Sequence, residues 1–341
     1  MNKKLFYIIF ISIIVAATIV VVAGYCVLFS PNFKPAQITY VYIDEDNKDF
    51  NALCGELQSA GCKNIQLFKI LAEIRKYPEN MKAGRYAVEP NMDNNTFLNR
   101  LRRGQQTPVK LTFNNMRLIS DLIERISEQL MLSDEELLSL IGDDDYCNSL
   151  GFDPTTIKAM FIPNTYEVYW TIPAKKLMER MKQEYENFWT KERREKAENI
   201  RLTPVEVSIL ASIVEEETAI TDEYPIIAGL YINRLHKGML LQACPTVKYA
   251  VGDFSLRRIL NVHLETDSPY NTYIYEGLPP GPIRIPSPAV IDAILNYTHH
   301  NYLYMSAKED FSGRNNFAAT MREHNINAEK YHKELNRRGI K

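Results

Sequence analysis

Excess charge of either sign is what this sequence lacks first: 40 lysines and arginines stand against 42 aspartates and glutamates, leaving a net charge of −2 and a pI near 6.4. A nucleic-acid partner normally leaves a basic footprint, so none is expected. Cysteine is scarce, with five in 341 residues. No C-x-x-C spacing suited to zinc occurs. The six histidines, His236, His263, His299, His300, His324 and His332, form neither an H-E-x-x-H nor an H-x-x-E-H pattern. No metal and no cofactor is therefore expected. Cysteine usage agrees only loosely with an oxidising compartment. Cys54 and Cys62 are close enough in sequence to pair, and the sequence leaves that open. Internal repeats and low-complexity segments are missing too.

What is present begins with an apolar run. Hydrophobic residues make up 45% of the chain, enough for one or two domains with a real core. Leu5 to Phe29 carries no charged residue and follows Lys3 and Lys4. About 20 apolar residues cross a bilayer core, whereas a secretory h-region is only about 7–15 long. No A-x-A site follows, and Tyr25 stands before Cys26 where a lipid anchor needs a small residue. Residues 5–29 therefore read as a single-pass helix in the cytoplasmic (inner) membrane. Residues 1–4 form a cytoplasmic tail by the positive-inside rule, and the rest lies on the outer, periplasmic side. Ser30 to Ala36, SPNFKPA, reads as a short linker.

Residues 37–106 read as a small βααβ unit: a strand at Gln37–Ile43, helices at Phe50–Ser59 and Leu67–Arg75, and a strand in KAGRYAVEP. A further helix runs through Arg103. Strand character returns at Thr107–Phe113. Ser133 with Glu136 three residues on marks another capped helix. Ala174 to Asn199 reads as one charged amphipathic helix whose charge run forms a solvated face.

The chain is organised around Thr203 to Tyr249. Thr203 as N-cap, Pro204 at the first helical position and Glu206 at the third make a capping box. Leu210, Ile213, Val214 and Glu217 follow the i, i+3, i+4, i+7 pattern of a core-facing stripe. At about 100° per residue the acids Glu215, Glu216 and Glu217 cannot share a face. Glu217 falls on the apolar stripe, Glu215 beside Ala211, and Glu216 in line with Ser208 and Ser212 on the polar side. A carboxyl group in an apolar place has its pKa raised, which is what a general acid requires. A second helix follows at Tyr224–His236, closed by Gly238, with Arg234 placed to cap its last carbonyls.

The segments ASIVEEET, INRLHKGMLLQ, PTVKY, YNTY and GLPPGPI, in this order and spacing, closely resemble the endolytic murein transglycosylases, the YceG-like family. The likeness is strong from Phe161 to Asn325 and weaker upstream. It implies an α+β chain with a LysM-like module at 37–106 and a helix-rich catalytic domain with a small sheet at 107–341. It also implies lytic cleavage of the β-1,4 bond between N-acetylmuramic acid and N-acetylglucosamine, leaving 1,6-anhydro ends. In that chemistry the substrate's own 6-hydroxyl attacks and one protein carboxylate suffices, whereas ordinary glycosidases use two. Glu217 takes the catalytic role, and Glu215, Asn233, Gln242, Tyr270, Asn271, Tyr273, Pro279 and Pro280 are candidates for substrate binding. Asn233 and Gln242 could orient Glu217 or the sugar, and rigid GLPPGPI could wall a glycan cleft. His324 and Asn325 are further cleft candidates. Two positions depart from the family pattern: Asn164 stands in the F-P-D-T-Y stretch where an acid is usual, and Cys244 replaces the acid of L-Q-T-D-P-T-V. The partners implied are peptidoglycan strands, the membrane and peptidoglycan synthases. The rival readings are a hydrolytic muramidase and a non-catalytic glycan-binding scaffold.

Overall fold

The computed structural model describes residues 3–256 and 258–339, so two residues at each end of the chain, part of the expected tail among them, lie outside the described residues. The chain forms two compact units. The first runs to Leu111 and takes in Gln129–Met131 and Tyr166–Ile172. The second comprises Thr112–Glu128, Leu132–Thr165 and the chain from Pro173.

The first unit opens with α1 (Lys3–Phe29). From Lys4 it is 26 residues long with mean hydropathy 3.0, and its side chains are exposed as far as Cys26. At about 1.5 Å per residue such a helix exceeds the roughly 30 Å of a bilayer core. Residues 30–36, expected as a linker, seat two of their number, Asn32 and Phe33, in the unit's interior. Phe33 is fully buried, its ring 4.9 Å from Phe97 and 6.0 Å from Phe68. Asn32, also buried, donates to Asn94 Oδ1 (2.7 Å) and Asn64 O (2.9 Å), and its Oδ1 accepts from Asn64 N (2.8 Å). A buried amide with its bonds met this fully locks the segment rather than tethering it loosely.

Then come β1 (Thr39–Ile43), α2 (Phe50–Ser59), α3 (Ile65–Ile74), β2 (Gly84–Val88) and α4 (Asn94–Arg103). β1 and β2 pair antiparallel, Val41 opposite Tyr86, so the expected βααβ order holds. Val41 and Ile43 point into the core while Tyr40 and Tyr42 face out, the alternation of a half-buried strand. α3 starts before the expected Leu67 because Asn64 caps it, accepting from Leu67 N at 3.2 Å. Cys54 and Cys62 are both buried free thiols.

β3 (Val109–Phe113) and β4 (Asn164–Val168) form a second two-stranded sheet. The second unit is helical: α5 (Ile119–Ser127), α6 (Asp134–Ile141), α7 (Asp144–Ser149), α8 (Ala174–Phe188) and α9 (Lys191–Asn199) precede α10 (Pro204–Glu217) and α11 (Tyr224–His236). The single helix expected over Ala174–Asn199 is thus two. Trp189 is buried at the break, and Thr190 caps α9 by accepting from Arg193 N. α12 (Cys244–Val251), α13 (Asn261–Leu264) and α14 (Pro288–Leu295) follow, then the antiparallel hairpin β5 (Tyr304–Ala307) and β6 (Asn315–Ala318), and α15 (Met321–Arg337). α10 lies at the centre, packed by α9, α11, α12 and α14. The chain is α+β: helix-rich, with small separate sheets.

Candidate active site

The expected capping box starts α10: Thr203 N donates to Glu206 Oε2 at 2.7 Å, and Glu206 N to Thr203 Oγ1 at 3.2 Å. Beyond it the helix is buried all round from Val207 to Glu215, so the polar side assigned to Ser208 and Ser212 does not exist. Both serines are fully buried and donate back to the preceding turn, Ser208 to Pro204 O (3.0 Å) and Ser212 to Ile209 O (2.7 Å). Ser212 Oγ also accepts from Ile283 N at 3.0 Å, which fixes the end of GLPPGPI. Hydroxyls satisfied within their own helix do not need water, and this is why their spacing misled.

The acids at the end of α10 separate accordingly. Glu216 is held by Arg117, Nη2 lying 2.7 Å from Oε2 and 2.9 Å from Oε1, and by Arg284 Nη1, 2.9 Å from Oε1. It is therefore ion-paired rather than solvated. Glu215 is 9% exposed and accepts from Asn115 Nδ2 (3.0 Å) and Ser287 N (3.1 Å), with Arg284 Nε at 3.4 Å. Expected to touch substrate, it is spent on fixing the helix end. Glu217 alone turns into an open cavity of about 370 Å³. Burial raises its carboxyl to about 7, tempered by a 2.6 Å bond donated by Tyr231 Oη to Oε1 and by the charge of Arg234.

Tyr231 and Arg234 lie one turn apart on α11, and both line the cavity. The guanidinium of Arg234 does not cap its own helix. It donates to Leu303 O (2.6 Å), Leu240 O (2.9 Å), Leu241 O (3.0 Å) and Gln242 Oε1 (3.1 Å). Gln242 lines the cavity and sits at φ 51°, a left-handed conformation uncommon outside glycine. Besides the bond from Arg234, its N–H donates to Thr272 O (3.0 Å), and together these hold the strained backbone in place. Tyr273 also lines the cavity, its hydroxyl 3.3 Å from Cys244 Sγ. Burial pushes the Cys244 thiol up, so it stays neutral. His324 reaches the cavity and has its pKa lowered, first by burial and then by Arg234. Among the described lining residues Glu217 is the sole carboxylate.

Other candidates lie elsewhere. Asn233 donates to His300 O (2.8 Å) and Tyr302 O (3.0 Å), pinning a loop without reaching Glu217. Asn271 is fully buried, donates to Leu264 O and Thr266 O and accepts from Tyr273 N, so its amide shapes a turn. Tyr270 packs on Tyr249 with ring centres 4.8 Å apart, outside the Glu217 cavity. Pro279 and Pro280 wall a different cavity of about 700 Å³, shared with Arg201 and His236. The next residue, Gly281, lies so close to Thr155 that a Cβ would be 2.1 Å from its carbonyl oxygen, which makes the proline loop a packing element. Asn325 is exposed and does not line the Glu217 cavity. Sequence reading missed Tyr231, whose i, i+3 spacing to Arg234 could have placed the two on one face. It also missed Tyr304 and Asn315 on the hairpin, for which no local signal exists.

With this geometry in hand, residues 41–330 match the sequence profile of the YceG-like family. A Bacillus subtilis protein named endolytic murein transglycosylase is 28% identical over 273 residues, covering 75% of this chain and 74% of that protein. A Streptococcus pneumoniae protein of the same name is 27% identical over 313 residues, covering 82% of this chain and 56% of the relative's length. The crystal structure of a YceG-like protein from Listeria monocytogenes has 25% identity and a TM-score of 0.57, covering 85% of this chain and 99% of that one. The family match spans both units and includes α10, α11 and the hairpin around Glu217: the chain belongs to the YceG-like family.

Proposed function

We propose that the chain is an endolytic murein transglycosylase, with Glu217 as its acid and then its base. The observation that carries this is a lone carboxyl at about 7, in a cavity whose other described lining residues supply no second carboxylate. Protonated Glu217 gives its proton to the glycosidic oxygen as the bond to C1 of N-acetylmuramic acid breaks. The carboxylate then takes the proton of the same sugar's 6-hydroxyl, and that oxygen closes on C1 to give the 1,6-anhydro end. No water is consumed. Tyr231 holds the carboxyl in place, and Arg234 fixes the cavity wall that carries Gln242.

The names of the relatives support this chemistry, and α1 supports a membrane anchor that keeps the enzyme beside nascent strands. In the same reading the catalytic unit faces outward, the βααβ unit serves as a LysM-like holder of glycan, and synthases are its neighbours. Detergent-solubilised protein acting on uncrosslinked glycan in ¹⁸O-labelled water tests the reaction. Mass spectrometry should find unlabelled 1,6-anhydro ends arising inside strands. Labelled reducing ends as the main product would make the enzyme a hydrolytic muramidase.

A further inference from the structure

The first unit carries a cavity of its own, about 750 Å³, at the C-terminal ends of α3 and α4 and the turn before β2. Four exposed cations rim it: Arg75 ending α3, Lys82 in the turn, and Arg102 and Arg103 closing α4. Asn95 and Asn99 lie on the same face of α4 as Arg102 and Arg103. No carboxylate lines the cavity among the described residues. The neighbouring arginines of the unit are engaged: Arg100 pairs with Glu89 at 2.9 Å, and Arg85 lies over the Tyr40 ring and donates to Pro108 O. The four rim cations have no acidic partner among the described residues.

Helix C-termini favour cations, which accounts for Arg75, Arg102 and Arg103 singly. It does not account for Lys82, which belongs to neither helix. The stem of Lys82 runs against Gly104, where φ is 66° and a Cβ would lie 2.9 Å from Lys82 Cδ. The missing side chain at Gly104 thus makes room for the lysine. Gathered like charges repel unless an anion completes them. Basic pockets can take a lipid headgroup as well as a glycan substituent, and Asn95 and Asn99 beside the cations favour the glycan. Guanidinium forks receive carboxylate oxygens in pairs, and asparagine amides bond hydroxyl and acetamido groups.

We infer that this cavity is a holding site for carboxylate-bearing glycan, namely the peptide-substituted muramic acid residues of a wall strand. The identity of the strand rests on the transglycosylase reading. The test uses full-length protein in detergent carrying Glu217→Gln so that strands are not cut. It is compared with the same protein also carrying Arg75→Gln, Lys82→Gln, Arg102→Gln and Arg103→Gln. Retention is measured for uncrosslinked peptide-bearing strands, for uncharged N-acetylglucosamine oligomers, and for anionic and neutral vesicles. Affinity for peptide-bearing strands should fall on the order of tenfold in the four-site variant. The uncharged oligomers should bind the two proteins alike. Equal retention of peptide-bearing strands by both proteins overturns the inference, as does a loss confined to anionic vesicles. With the rim intact, retention must also weaken as salt rises, and salt-independent binding rejects the site without any variant. The transglycosylase reading fails separately, through the absence of anhydro ends from the wild-type enzyme.

Discussion

Glu217 is pulled in opposite directions by its surroundings. Burial disfavours its charge, the Tyr231 hydroxyl and Arg234 favour it, and the balance near 7 lets one group give and then take a proton around neutrality. Glu217→Gln keeps the size but removes that proton, so release of anhydro ends should fall on the order of 10²–10⁴-fold. A rate close to wild type would reject the assignment. The same change has a stability signature. The folded pKa lies above the unfolded value of about 4.3, so folding favours the protonated form. That stability is full below the unfolded pKa and is lost as pH rises towards 7. Thermal melts should therefore show the Gln variant gaining on wild type between pH 5 and 8. Tyr231→Phe should act on titration rather than fold. Its hydroxyl lowers the Glu217 pKa, so losing it should move the alkaline fall of the pH–rate profile to higher pH. Movement to lower pH would contradict the bond's role.

At the scale of the element, α10 is a buried helix whose C-terminal end must be aimed. Aim comes from a clamp on the two acids that do not face the cavity: Arg284 touches both Glu215 and Glu216, and Arg117 grips Glu216 from the 115–117 segment. The two arginines are not equal. Arg284 is half as exposed as Arg117, with side-chain values of 16% and 34%, and serves two carboxylates. Removing one partner of a buried pair leaves a charge uncompensated, which is costly; an exposed pair contributes little. Arg284→Ala should thus destabilise by about 3 kcal/mol and Arg117→Ala by about 1 kcal/mol, read from urea unfolding. Equal effects would mean that the clamp does not depend on burial.

At the scale of the whole molecule, the end of α1 belongs to the folded first unit. Val27 and Leu28 pack on its core, and Val27 O accepts from Asn94 Nδ2 at 2.9 Å. Cleavage near Ser30 would strip those contacts from a core that also contains Phe33. The mature protein should therefore keep its N-terminal residues, and protease added outside the cytoplasmic membrane should digest the chain beyond Phe29. A mature N-terminus near Ser30, found by sequencing, would overturn the anchor.

By itself the sequence determined the features written in local chemistry. The cap at Thr203, the bounds of α11, the βααβ order and the apolar run of α1 all follow from spacings of a few residues. Glu217 was legible for the same reason, as the acid ending the stripe of Leu210, Ile213 and Val214. Tertiary structure alone decided what faces what. Arg117 and Arg284 neutralise Glu216 from far along the chain, Asn271 spends its amide on a buried turn, and Pro279 and Pro280 wall a cavity apart from Glu217. The hairpin residues Tyr304 and Asn315 reach the cavity only through the packing of the second unit. A helical period records which side of a segment is apolar, but not which distant charge will meet it or whether a buried hydroxyl will satisfy itself on its own backbone.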